Sequence, residues 1–170
     1  MIEKHEFKGE HDGLSLLVLA AVHGNETAGT QACRRIIDEI ERGALALKNG
    51  KMTLVPVCNP EAYRRDVRNI DENLNRVMTV HDNPRSYEQK LANEICPLIR
   101  EHRFTLDLHS THCVGDVPFA FCDYPDVYNQ KLIDNQLRNT KSRRNSDCSV
   151  NKKIRSLYQK HKSGNKGSKR

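Results

Sequence analysis

The stretch from Leu14 to Thr27, LSLLVLAAVHGNET, constrains the fold more than any other part of the chain. Its apolar run from Leu14 to Val22 has the length and continuity of a strand that is buried on both faces. The chain then turns at His23 and enters a helical pattern at Glu26. A histidine and a glutamate at the end of a buried strand can face the same point in space, as metal ligands do. The alternative is a helix that simply begins with a glutamate, which is favourable in a first turn.

The remaining apolar pattern predicts strands and helices in alternation. A polar lead-in over residues 1–12 could add a short edge strand, and the arginine-rich segment 62–82 predicts a loop with one helical turn. Pro97 predicts a kink or an early break in its helix. Alternating strands and helices predict an α/β fold with a mostly parallel or mixed sheet flanked by helices. The predicted strands are 14–22, 52–58, 104–108 and 117–122, and the predicted helices are 26–45, 87–102 and 127–137.

Charge divides the chain into two parts. The net charge is +6, but residues 138–170 hold twelve Lys and Arg against one acidic residue, Asp147. This segment has too few apolar residues for another strand–helix unit, so we expect a disordered basic tail after a folded domain of residues 1–137. Aromatic residues are sparse in the tail and no nucleic-acid-binding module is recognisable, so nucleic acid is not the expected partner.

The cysteines indicate a reducing compartment. All six are scattered without CxxC spacing, mostly in apolar contexts, as buried free thiols are. The sequence shows no signal peptide, and its longest apolar run is too short to span a bilayer. We therefore expect a cytoplasmic protein.

Two histidines and one glutamate are the candidate metal ligands. His23 and Glu26 follow the first strand and His109 follows the strand 104–108, so a parallel sheet would bring all three to one edge. Two His and one Glu make a catalytic zinc site that leaves a position for water. Asp107 could hold the His109 ring, and His112 is a competing ligand. The other histidines are expected at the surface: His5, His11, His81, His102 and His161.

The segment from Arg64 to Arg76 mixes guanidinium groups with amides. Arginine binds a carboxylate through two parallel hydrogen bonds, so the segment could hold an acidic substrate. A solvated charged loop is the alternative.

Four motifs in consistent order resemble the succinylglutamate desuccinylase/aspartoacylase family. They are HGNET after a strand, the turn NP, the segment DENLNR and the strand ending DLHST, and the resemblance covers roughly residues 14–123. It implies a zinc carboxypeptidase-like α/β fold and a zinc-dependent deacylase. Such an enzyme hydrolyses the N-acyl bond of an acidic amino acid derivative such as succinylglutamate or acetylaspartate.

The resemblance also implies roles for individual residues. The family's zinc ligands fall on His23, Glu26 and His109, with one Zn²⁺ per chain, and its substrate-carboxylate contacts fall on Arg68, Asn75 and Arg76. Zinc in such a site polarises the acyl carbonyl and lowers the pKa of the attacking water.

The sequence departs from the family pattern in its C-terminal part. The family's general base is a glutamate on a later strand, whereas the last glutamate here is Glu101, upstream of His109. We therefore expect an incomplete domain with weak or no deacylase activity, in which only an aspartate, Glu72 or His112 could substitute as the base. The alternative function is a non-catalytic zinc- and anion-binding remnant of the family.

Overall fold

The computed structural model describes residues 1–110, which form a mixed sheet with helices on both faces. Within this range the sheet has four strands in the order β1-β3-β2-β4. Strand β2 runs parallel to β3 and β4, and β1 pairs antiparallel with β3 at the edge. The α/β prediction is confirmed, including the edge strand in the lead-in. The strands are β1 (His5–Lys8), β2 (His11–Ala20), β3 (Asn49–Val55) and β4 (Phe104–Leu108).

Strand β2 lies between two hydrophobic cores because its alternate side chains point to opposite faces of the sheet. Leu17 and Leu19 pack in the core that includes helix α3 (Tyr87–Glu101), and Val18 packs in the core beneath helix α1 (Ala28–Glu41). Burial on both faces explains why the second half of β2, residues 16–20, is a continuous apolar run rather than an alternating one.

The helix ends follow from local sequence. Helix α1 stops at Glu41, before the predicted end near residue 45, because Gly43 adopts a left-handed conformation with φ 71°. Helix α3 begins after Ser86, whose side chain accepts a hydrogen bond from the Gln89 N–H at 3.1 Å. The predicted early break at Pro97 is wrong, since α3 continues to Glu101. Pro97 is exposed, so water can satisfy the carbonyl that the proline leaves unpaired.

The arginine-rich segment contains more local structure than one helical turn. Helix α2 (Pro60–Arg64) begins directly after Asn59, whose side chain accepts a hydrogen bond from the Ala62 N–H. A 3₁₀ turn (Leu74–Arg76) follows, and the side chain of Leu74 is fully buried. The side-chain cap of α2 and the buried Leu74 hold this segment in place, although its polar composition alone predicts a loop.

His102 is buried, so its predicted surface position is wrong. Its Nε2 lies 2.8 Å from the Thr53 hydroxyl and its Nδ1 lies 2.7 Å from the Leu98 carbonyl oxygen. Because both ring nitrogens are hydrogen-bonded, the ring is tolerated inside the protein. The Thr53 partner lies 49 positions away, which no local pattern reveals.

Several predictions concern residues outside the described range. These are the strand 117–122, the helix 127–137, the tail 138–170, and the positions of His112 and His161. Among residues 1–110, no helix combines the length and the apolar character needed to cross a bilayer.

Candidate metal centre

The three predicted metal ligands lie together at one edge of the sheet. β2 and β4 are neighbouring parallel strands, and Ala20 at the end of β2 is in register with Leu108 at the end of β4. His23 and Glu26 follow β2 and His109 follows β4, so the two strand ends deliver all three side chains to the same place. The ligand atoms of the three residues all lie within 4.8 Å of one another.

A tight turn sets the positions of His23 and Glu26. Ala21 has φ 47°, a conformation that L-residues rarely adopt, and the Glu26 N–H donates to the His23 carbonyl oxygen at 3.1 Å. Gly24 packs against the backbone of α2, where an added Cβ would lie 2.2 Å from the carbonyl carbon of Ala62. Only glycine permits this approach, which explains why the histidine is followed by a glycine.

The Glu26 carboxylate is the centre of the cluster. Its Oε1 lies 2.9 Å from His23 Nδ1 and its Oε2 lies 2.8 Å from His109 Nδ1. The Ser110 N–H donates to Oε2 at 3.1 Å, and Arg68 Nη1 donates to Oε1 at 2.9 Å. Both imidazole rings therefore turn the same nitrogen, Nδ1, toward the carboxylate.

The opposite nitrogen of each ring meets an acceptor. His23 Nε2 lies 3.1 Å from Asn73 Oδ1, and His109 Nε2 lies 2.8 Å from Asp107 Oδ2. The Asn75 N–H also donates to Asn73 Oδ1 at 3.0 Å, which identifies that atom as the acceptor oxygen. These acceptors favour a hydrogen on Nε2 of each ring, which would leave Nδ1 as the nitrogen that binds a metal ion once its own proton is lost.

The environments of the three side chains differ in their effects on pKa. Burial lowers the pKa of His23. Burial alone would raise the pKa of Glu26, but hydrogen bonding to His109 and the charges of His23 and His109 outweigh it, so the pKa is lowered. The hydrogen bond to Asp107 raises the pKa of His109. The carboxylate is thus held in its charged form, the form in which it can bind a cation.

The donor chemistry of the cluster fits a zinc ion. Two imidazole nitrogens and one carboxylate oxygen converge, an acceptor lies at Nε2 of each ring, and a His₂Glu set leaves one position for water. Thiolates, which dominate closed structural zinc sites, are absent from the group.

The three residues expected at the substrate carboxylates occupy different positions. Arg68 reaches the cluster directly through Glu26, and its side chain is 50% exposed. Asn75 and Arg76 lie on the exposed 3₁₀ turn, where Arg76 Nη1 donates to the Asn75 carbonyl oxygen at 3.1 Å. The Asn75 backbone reaches the cluster through Asn73.

Sequence reasoning missed Asn73, and it left Glu72 open as a substitute base. Asn73 belongs to the DENLNR motif, but only the fold shows that it faces His23, 50 positions away. Glu72 instead accepts hydrogen bonds from Gln89 Nε2 at 2.9 Å and from the Ser86 hydroxyl at the start of α3. These bonds tie the Glu72 carboxylate to α3.

The fold and the cluster are accompanied by a family match over most of the chain. The model of the succinylglutamate desuccinylase/aspartoacylase catalytic domain matches residues 12–134. The chain therefore belongs to this family of deacylases, which confirms the resemblance of its motifs.

Individual relatives agree with this assignment. A succinylglutamate desuccinylase of Pseudomonas fluorescens is 36% identical over 122 residues, which are 67% of this chain and 35% of that protein. The crystal structure of an aspartoacylase family protein from Mesorhizobium loti matches with a TM-score of 0.57 and 29% identity, over 64% of this chain and 34% of that one. That of the succinylglutamate desuccinylase from Chromobacterium violaceum matches with a TM-score of 0.54 and 29% identity, over 62% and 36%. The chain spans about a third of the length of these relatives.

Proposed function

We propose that this chain is a zinc-dependent hydrolase, or the metal-binding part of one, acting in the cytoplasm on the N-acyl bond of a small acidic N-acyl amino acid. The observation that carries the proposal is the convergence of His23, Glu26 and His109 within 4.8 Å, with an acceptor behind each ring. Zinc in this site supplies a Lewis acid for the acyl carbonyl and a water of lowered pKa.

The chain's own residues have three tasks in this proposal, and Arg68 takes part in two of them. Asn73 and Asp107 hold the two imidazole rings, and Ser110 and Arg68 hold the Glu26 carboxylate. Binding of the substrate carboxylates falls to three residues of the neighbouring loop, Arg68, Asn75 and Arg76. Succinylglutamate and acetylaspartate both offer carboxylates that guanidinium and amide groups bind.

Metal analysis tests the zinc site. Purified parent should contain one zinc per chain, and His109→Ala should lose it. His11→Ala, which removes an exposed histidine of β2, is the matched control and should keep the metal. Equal zinc content in His109→Ala and the parent would contradict the assignment.

Calorimetry with acetylaspartate and succinylglutamate tests the anion site. Arg76→Ala should weaken binding by about 1.5–3 kcal/mol, the contribution of a charge-assisted hydrogen bond. Arg76→Lys should lose nearly as much affinity, because lysine cannot form two parallel hydrogen bonds to a carboxylate. Arg85→Ala, which removes an exposed arginine just before α3, controls for the loss of charge. Unchanged affinity in Arg76→Ala would refute the role of Arg76.

Turnover separates the hydrolase from a non-catalytic zinc- and anion-binding protein. The binding of Glu72 to α3 favours weak catalysis, because that carboxylate is not free to take a proton at the cluster. Zinc-loaded parent should hydrolyse acetylaspartate or succinylglutamate slowly, with His23→Ala as the blank. Zinc and anion binding without turnover above the blank would favour the non-catalytic alternative.

A further inference from the structure

Glu88 is a fully buried carboxylate that the metal cluster does not use. Its Oε1 accepts from the Ile70 N–H at 2.7 Å and from Asn59 Nδ2 at 3.2 Å. Its Oε2 accepts from the N–H groups of Asp71 and Glu72 at 3.1 and 3.2 Å. Each oxygen therefore receives two hydrogen bonds, and three of the four donors are consecutive backbone amides.

This arrangement solves two problems of burial together. A buried carboxylate is strongly unfavourable unless donors replace its water, and buried backbone amides outside regular structure need acceptors. Burial would raise the pKa of Glu88, but hydrogen bonds from Ile70, Asn59, Glu72 and Asp71 outweigh it, so the pKa is lowered. Glu88 is therefore ionised at neutral pH, and it supplies the acceptor for three backbone N–H groups, which as donors cannot hydrogen-bond one another.

The same loop residues bind back to the start of α3. Asp71 Oδ2 accepts from the Tyr87 N–H at 2.7 Å, and Glu72 Oε1 accepts from Gln89 Nε2 at 2.9 Å. Negative side chains are favourable at a helix N-terminus, so these contacts reinforce the contact made by Glu88. Residues 70–72 and the first turn of α3 thus hold each other at several points.

Residues 70–72, which Glu88 holds, lie in the middle of the segment next to the metal cluster. We call residues 68–76 the anion loop. Before residues 70–72, Arg68 donates to Glu26, and after them Asn73 accepts from His23. A displacement at residues 70–72 would move both contacts and also the 3₁₀ turn.

We propose that Glu88 is the positioning residue of the anion loop, holding it in the conformation that presents Arg68, Asn75 and Arg76 to a dicarboxylate. The inference rests on the proposed function, since it assigns to the loop the role of binding substrate carboxylates. Glu88 itself touches neither the metal ligands nor the proposed substrate contacts, and acts through the backbone of residues 70–72.

Glu88→Gln is the informative substitution because it keeps the shape and removes one acceptor. A glutamine side chain retains one oxygen and turns an NH₂ group toward two donors, so two of the four hydrogen bonds are lost. Glu101→Gln removes an exposed carboxylate at the last position of α3 and is the matched control. Glu88→Asp retains the charge on a shorter side chain.

The experiment combines amide hydrogen exchange with anion binding in the zinc-loaded full chain. In the parent, the amides of residues 70–72 should exchange at least about 100-fold more slowly than in an unstructured peptide. In Glu88→Gln they should exchange at least about tenfold faster, while the amides of β2 and β3 keep their rates. Acetylaspartate affinity should fall about tenfold or more, with one zinc per chain retained. Glu101→Gln should match the parent, and Glu88→Asp should lie between the parent and Glu88→Gln.

The outcomes distinguish this inference from the proposed function. If the amides of residues 70–72 in the parent exchange as fast as those of an unstructured peptide, the inference is overturned. This measurement uses the parent alone, so it does not depend on whether a variant folds. Equal acceleration across the sheet and the anion loop in Glu88→Gln also overturns it, because Glu88 would then hold the whole fold. If the parent binds zinc but neither acetylaspartate nor succinylglutamate, the proposed function fails, and the exchange rates alone decide whether Glu88 holds the loop.

Discussion

If His109 binds zinc as proposed, Asp107→Asn measures how much the hydrogen bond to the far side of its ring contributes to zinc affinity. The substitution keeps the size of the side chain and an acceptor oxygen 2.8 Å from His109 Nε2, and removes only the charge. Charge-assisted hydrogen bonds contribute about 1.5–3 kcal/mol, against about 0.5–1.5 kcal/mol for neutral ones. The expected loss is therefore about 1–1.5 kcal/mol, or about five- to tenfold in zinc affinity. Because the Asp107 side chain is 32% exposed, solvent screening favours the lower half of that range.

Competition with a chromophoric chelator at neutral pH gives the zinc affinities directly. Asp107→Ala removes the acceptor altogether and should cost more, about 10–100-fold, as loss of such outer partners typically does. Asp82→Asn, an exposed aspartate before α3, is the control and should bind zinc like the parent. Zinc affinity within twofold of the parent in both Asp107 variants would refute the reasoning, since the His109 ring would then be held by other contacts.

Three further predictions concern the scaffold around the site. Gly24→Ala should destabilise the protein by about 1–3 kcal/mol in urea unfolding and weaken zinc binding, because the added Cβ would meet rigid backbone at 2.2 Å. A variant as stable as the parent would contradict the close approach to α2. Ile95→Ala, in the core beneath α3, should cost about 2–5 kcal/mol and leave the zinc stoichiometry unchanged. The parent should be more stable than Glu88→Gln at any pH above the ordinary carboxyl pKa. This difference in stability should disappear as pH falls through the lowered pKa of Glu88, because acid protonates the buried carboxylate. Urea midpoints at several pH values check this, and a constant difference would contradict it.

The sequence predicted the parts of the fold that depend on local patterns. The run from Leu14 to Val22 indicated a strand buried on both faces, and the last four residues of β2, 17–20, are buried in this way. The strand ends at Ala20 rather than Val22, and Leu14 is exposed, so the prediction is correct only for the second half of β2. The predicted strand 104–108 matches β4, so the position of His109 at a strand end followed directly. Parallel pairing of β2 with β4 then brought His23, Glu26 and His109 together.

The contacts that the sequence could not predict connect distant residues through polar groups. Glu88 reads as an ordinary acidic residue in a first helical turn, a place where carboxylates are common at the surface. Nothing in its neighbourhood shows that it is buried against backbone amides 16–18 positions earlier. Asn73 and His102 were missed for the same reason, since their partners lie on other elements. Such contacts depend on how the helices and strands pack together in the fold, and the periodicity of apolar residues in the sequence does not show them.

The separation of the proposed metal ligands along the chain has a consequence for folding. His23 and Glu26 are local neighbours, but Glu26 meets His109 across 83 positions, and only after β4 has paired with β2. Closing a loop of that length is a late and slow event compared with forming α1 or α3. Capture of a coloured ion such as Co²⁺ during refolding would therefore report the pairing of β4, while far-ultraviolet circular dichroism reports the earlier helices. The interval between the two signals measures the delay between helix formation and the pairing of β4 with β2.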